Sequence, residues 1–127
     1  GRAMIRFTSF LMEEGIPIYL QILLHIKRGI VSGEIVDGNE LPSRRALSTL
    51  LGVNPNTVQK AYRILEDEGL IQSQSGAKSN MTLDASKIRA VHDELLGEHL
   101  GRVVSELKQM GLTLSEAIRL IEMHWED

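Results

Sequence analysis

The sequence predicts a mainly α fold with a small β wing: a winged helix-turn-helix followed by a two-helix C-terminal dimerisation tail. Three observations carry this expectation. Between Leu41 and Ile71, two short runs of helical apolar spacing are separated by a glycine and end in a strand-like run. A second short strand-like run follows after a turn. Residues 84–127 then hold two helical patterns with more apolar positions than so short a segment can bury on itself. The chain accordingly divides into an N-terminal arm (1–16), a winged domain (17–83) and a helical region (84–127).

Taken in order, Gly1-Arg2-Ala3 ahead of Met4 reads as a cloning remnant, and residues 5–15 lack clear periodicity, as an extended arm would. Pro17 opens the first helix, whose Tyr19, Ile22, Leu23, Ile26 and Ile30 fall on one stripe and which Gly33 ends. It is expected to pack behind the helix-turn-helix and complete a three-helix core, with His25 beside the stripe. Residues 35–41 read as a linker turning at Asp37-Gly38. Ser43 caps the next helix, with Ala46, Leu47, Leu50 and Leu51 facing inward and Gly52 stopping it. Val53 fills the space between the two helices.

Asn54 caps the following helix and Pro55 occupies its first turn, where no amide is needed. Its buried stripe is Val58, Ala61, Tyr62 and Leu65, and Gly69 closes it. Residues 70–73 and 81–83 read as strands joined by a turn at Ser75-Gly76-Ala77-Lys78. Asp84 or Ser86 then caps a long helix that Gly111 breaks. Thr113 and Glu116 have capping-box spacing ahead of a last helix striped by Leu114, Ala117, Ile118, Ile121 and Trp125. Two helices with such faces must bury them on the winged domain or on a second copy of the chain, and the second copy is the expectation.

The outer side of the helix pair carries the functional signal. Asn56, Thr57, Gln59, Lys60 and Arg63 are left there, and amides, a hydroxyl and cations at the start of an exposed helix reach base edges and phosphates in a major groove. Residues 41–65 hold Arg44, Arg45, Lys60 and Arg63 and no acid, whereas an ordinary solvated helical hairpin mixes both signs. The candidate DNA contacts are Ser43, Arg44, Arg45, Asn54, Asn56, Thr57, Gln59, Lys60 and Arg63. Lys78, in the wing, is either a phosphate contact or a solvated lysine.

Composition sets outer bounds. The chain has 127 residues, 43% of them hydrophobic but only 4% aromatic, so aliphatic side chains must fill the core. With no cysteine, disulfides and thiolate zinc sites are excluded. The net charge of −3 argues weakly against nucleic acid, but the acid is unevenly spread. Residues 1–83 carry nine Lys/Arg against eight Asp/Glu, and residues 84–127 carry five against nine. No apolar run is long enough to span a membrane and no secretory signal is visible, so a cytoplasmic protein is expected. His92 and His99, with Asp93, Glu94 and Glu98 nearby, match no metal-ligand motif and read as polar groups of a solvated helix. No nucleophile signature, phosphate loop or acid pair in an apolar setting appears, so no enzyme and no cofactor is expected.

At PIYLQI, LPSRRALSTLLGV and NTVQKAYRILEDEGLI the sequence resembles the GntR family of bacterial transcription regulators, from Pro17 to about Leu83. The short helical tail resembles the YtrA-like branch. The resemblance implies a winged helix-turn-helix that binds double-stranded operator DNA as a homodimer, mostly as a repressor and often of transporter operons. By position it implies DNA contact for Arg45, Asn56 and Thr57. Pro55 and Gln59 stand where some members carry base-reading arginines, Asp37-Gly38 replaces a common Pro-Gly, and the wing reads SGAKSNMTL in place of a basic glycine-rich tip. No effector pocket can be read from the sequence. The competing expectation is a winged-helix protein-interaction module without specific DNA binding, which would not need the acid-free basic run.

Overall fold

The computed structural model describes residues 3–8, 10–74 and 78–127. Among the described residues, five helices and three strands follow one another as α1 (Ile18–Ser32), β1 (Glu40–Leu41), α2 (Arg44–Leu51), α3 (Pro55–Asp67), β2 (Ile71–Ser73), β3 (Ser79–Met81), α4 (Ala85–Gln109) and α5 (Leu114–Trp125). The chain divides into two compact units, residues 1–92 and 93–127.

In the first unit α1 and α2 both pack on α3. The core holds Ile22, Ile26 and Ile30 from α1, Leu47 from α2, and Val58, Ala61, Tyr62 and Leu65 from α3. Each fully buried aliphatic side chain contributes roughly 1.5–3 kcal/mol by leaving water. The α3 stripe is the one expected from its spacing. In α2 the expectation needs correcting: Leu50 is 63% exposed and Ala46 is exposed, while Ser48 is buried. The helix has two turns, so its inward face is narrow, and the Ser48 hydroxyl is satisfied by donating to the Val53 carbonyl at 2.9 Å.

Local chemistry fixes the helix ends. Pro17 precedes α1 and Gly33 closes it in the left-handed region. The Ser43 hydroxyl accepts from the Ala46 amide at 3.0 Å, and the Asn54 side-chain carbonyl accepts from the Asn56 amide at 2.8 Å. After α3, Gly69 takes φ +75°, its amide donates to Glu66 and that of Leu70 donates to Leu65, the paired bonds of a Schellman ending. Gly29, inside α1, has a different reason: a β-carbon there would meet Ile35 Cδ1 at 2.4 Å, so a larger residue would displace the Ile35 side chain from the helix.

The sheet has the order β1-β3-β2, antiparallel throughout, with Gln72 and Glu40 both opposite Asn80. Two expectations change here. The segment read as a linker supplies β1, whose partner lies about forty residues on. The second wing strand spans Ser79–Met81, two residues earlier than the spacing suggests, and all three residues are buried because β3 is central. The turn expected at residues 75–78 falls, but for Lys78, outside the described residues; the Gln74 amide donates to the Lys78 carbonyl at 2.8 Å.

The N-terminal segment expected as an arm packs into this unit. Met4 bridges Glu40 in parallel, and Ile5 and Phe7 are buried in the core. The unit also extends past the expected limit at Leu83, through the first turns of α4, where Val91 joins the core and the Asp84 carboxylate accepts from the Lys87 amide at 2.8 Å. Asp84, rather than Ser86, is therefore the cap.

In the second unit, Thr113 and Glu116 form the expected capping box, with the Thr113 amide donating to Glu116 Oε1 at 3.0 Å. The Thr113 backbone and hydroxyl donors, in that order, hold the Glu116 carboxyl below the usual range. Ala117 is the only buried residue of α5, while Leu100 is 57%, Leu114 77% and Trp125 81% exposed in the single chain. Among the described residues no helix is long and apolar enough to cross a membrane, and no cluster of acids and histidines that could hold a metal is present.

Candidate nucleic-acid interface

The α2–turn–α3 unit presents its expected contact residues in two states. Arg45, Asn56 and Arg63 are exposed, and their side chains have no hydrogen-bond or ion-pair partner among the described residues. Arg45 sits in the first turn of α2, Asn56 in the first turn of α3, and Arg63 two turns further along. The orphan amides at the start of α3 give that end a partial positive charge, which suits a phosphate or a base acceptor.

The other candidates are engaged within the chain. Arg44 is turned inward: its guanidinium stacks 5.1 Å above the Tyr62 ring, Nη2 lies 3.1 Å from Glu66 Oε1, and Nε donates to Gln59 Oε1. Gln59 and Arg44 therefore occupy one another. Lys60 holds its ammonium 4.1 Å from the centre of the Tyr19 ring, a cation–π contact tying α3 to α1. Ser43 and Asn54 spend their side-chain acceptors on helix caps, and Thr57 is half-buried. Lys78 is exposed at the edge of the wing.

Tyr62 is the residue that sequence reasoning assigned only to packing. Its hydroxyl donates to the Pro42 carbonyl at 2.7 Å, joining α3 to the entry of α2. Burial pushes its pKa up, with the Arg44 charge opposing that shift, so the hydroxyl stays protonated. Glu66 also escaped notice. It balances Arg44 and accepts from Ser73 Oγ at 2.9 Å, so it ties the helix pair to the wing. The basic run ends one residue before this acid, which is why counting charges over residues 41–65 overstates the free cations.

A capped helix pair with its second helix exposed, backed by a third helix and flanked by a hairpin, is a winged helix-turn-helix, the fold class that sets a recognition helix into duplex DNA. Similarity to known proteins narrows the class. The bacterial regulatory proteins of the gntR family match residues 18–78. The chain is 34% identical over 110 residues to the uncharacterized HTH-type transcriptional regulator YhcF of Bacillus subtilis, covering 87% of this chain and 91% of the relative. It is 34% identical over 102 residues to the HTH-type transcriptional repressor YtrA of the same organism, covering 79% and 78%. A GntR family transcriptional regulator from Listeria monocytogenes has a similar structure, with a TM-score of 0.81 at 30% identity over 88% of this chain and 98% of that one. The chain belongs to the GntR family of transcriptional regulators, DNA-binding helix-turn-helix proteins and not enzymes.

Proposed function

We propose that this regulator is a repressor that binds an inverted-repeat operator as a homodimer held by its C-terminal helices. The observation that carries the reading is the uncommitted trio Arg45, Asn56 and Arg63 on the outer side of a rigidly capped helix pair. Exposed side chains on a helix pair that have no partner among the described residues are available to bases and phosphates. The relative named as a repressor supports the sign of the effect. The resemblance to the YtrA-like branch directs the search for the operator to transporter operons.

Dimerisation is supported by the apolar surface of residues 93–127. Leu100, Val104, Ile118 and Ile121 are each 45% exposed or more in the single chain. Helices with such faces are stable when a two-fold partner covers them with the same surface. Sedimentation of the full chain and of a version ending at His92 tests this. The expected result is a dimer for the first and a monomer for the second at micromolar concentration. A dimer surviving the truncation would put the interface elsewhere. His92 is the proper end point because Val91 belongs to the core of the winged unit.

A further inference from the structure

A cavity of about 590 Å³ lies between the N-terminal segment and α1, within the roughly 300–1,000 Å³ of small-molecule sites. Arg6, His25 and Arg28 line it, with Glu34 the one acid among its described walls. A second hollow of about 250 Å³ shares His25 and Arg28 and is walled by Phe10, Leu11, Ile16 and Leu24 together with Gln21 and a second acid, Glu13. The His25 ring between the two is fixed. It lies 4.6 Å from the Phe7 ring and 5.5 Å from that of Phe10, and Nε2 donates to the Arg6 carbonyl at 2.8 Å. Lys27 and Lys87, in the same unit, are satisfied by Glu68 and by the Gly69 and Thr82 carbonyls. By contrast, the Arg6 and Arg28 side chains are exposed and have no partner among the described residues.

We propose that this double cavity binds a small amphipathic organic carboxylate. The head group sits on the guanidinium groups of Arg6 and Arg28, and the apolar body lies along Phe10, Leu11 and Ile16. Arginine keeps its charge at any accessible pH and offers a planar fork of donors that matches a carboxylate. The second hollow is mixed in character, and its apolar side chains Phe10, Leu11, Ile16 and Leu24 give an organic body a surface that a bare inorganic anion would not use. The site also communicates with the helix pair. The Glu40 amide and carbonyl bond to Ala3 and Ile5, β1 runs straight into Pro42, and Pro42 accepts from Tyr62 of α3. A ligand that holds residues 3–8 in place therefore acts on the start of α2 and on α3.

The test needs no DNA, so its outcome is independent of the proposed operator reading. The full chain, labelled with ¹⁵N, is titrated with benzoate and 4-phenylbutyrate, with the two matching amides, and with inorganic phosphate. The expected result is saturable shifts at the Ile5, Arg6 and Gly29 amides for at least one carboxylate, and none for its amide or for phosphate. Arg28→Gln and Arg6→Gln, both at exposed positions, each weaken that carboxylate about tenfold with melting temperature unchanged. Equal binding of acid and amide, binding of phosphate alone, no saturable shift with either carboxylate, or unchanged affinity in both variants would each overturn the proposal.

Discussion

Two asparagines two residues apart at the start of α3 are expected to fail in different ways. Asn54 spends its side-chain oxygen on the Asn56 amide at 2.8 Å, while the Asn56 side chain is exposed with no partner among the described residues. Asn54→Ala therefore removes a cap, costing about 1 kcal/mol and lowering the melting temperature by about 3–6 °C. Asn56→Ala leaves the fold alone. If its amide pairs bidentately with an adenine, its loss costs roughly 1–3 kcal/mol at one base pair, about 5- to 150-fold in discrimination. The assay titrates each variant against the operator, single-base-pair variants of it and a scrambled duplex at one fixed salt concentration, with calorimetry alongside. Equal loss on operator and scrambled DNA for Asn56→Ala would refute the assignment of base reading to this residue. A lower melting temperature with an unchanged specificity ratio would show instead that Asn56 only supports the cap.

Three further outcomes follow from the same geometry. Arg63→Ala, at an exposed position two turns along α3, should weaken operator and scrambled DNA alike and flatten the slope of log affinity against log salt by about 0.9 for each phosphate no longer neutralised, about 1.8 for a dimer; an unchanged slope in a salt titration would remove Arg63 from the interface. Arg45→Ala, at an exposed position with no partner among the described residues, should reduce operator affinity more than either Asn56→Ala or Arg63→Ala while leaving the calorimetric melting temperature unchanged. Tyr62→Phe should lower stability by about 1–2 kcal/mol in urea unfolding, because the half-buried Pro42 carbonyl loses its 2.7 Å donor; an unchanged midpoint would mean that water replaces the hydroxyl.

What the sequence disclosed and what it concealed divide along the range of the interactions. Helix ends are local chemistry, so Ser43, Asn54, Gly52 and the Thr113–Glu116 box could be read directly, and each makes the bond expected of it. The inward stripe of α3 was equally legible, because thirteen residues give more than three turns of periodicity. β1 was not, because two residues carry no period and its strand status comes from Asn80 and Ser79, about forty positions away. The burial of Ile5 and Phe7 has the same origin: their partners lie on other elements. The candidate DNA-facing residues split for a similar reason. Arg45 and Asn56 look outward in both sequence and structure, but Arg44 is drawn inward by Tyr62 and Glu66, and Lys60 is drawn to Tyr19. Counting basic residues along the chain cannot register a ring or a carboxylate that the fold brings beneath them.

The central claim is that two copies of the chain read two symmetric half-sites. Hydroxyl-radical footprinting of the full chain on the promoter that it controls tests this most directly. The predicted result is two equivalent protected patches related by a two-fold axis, with centres about one helical turn, roughly 10 bp, apart or a multiple of that spacing. A single asymmetric patch occupied by one chain would contradict it.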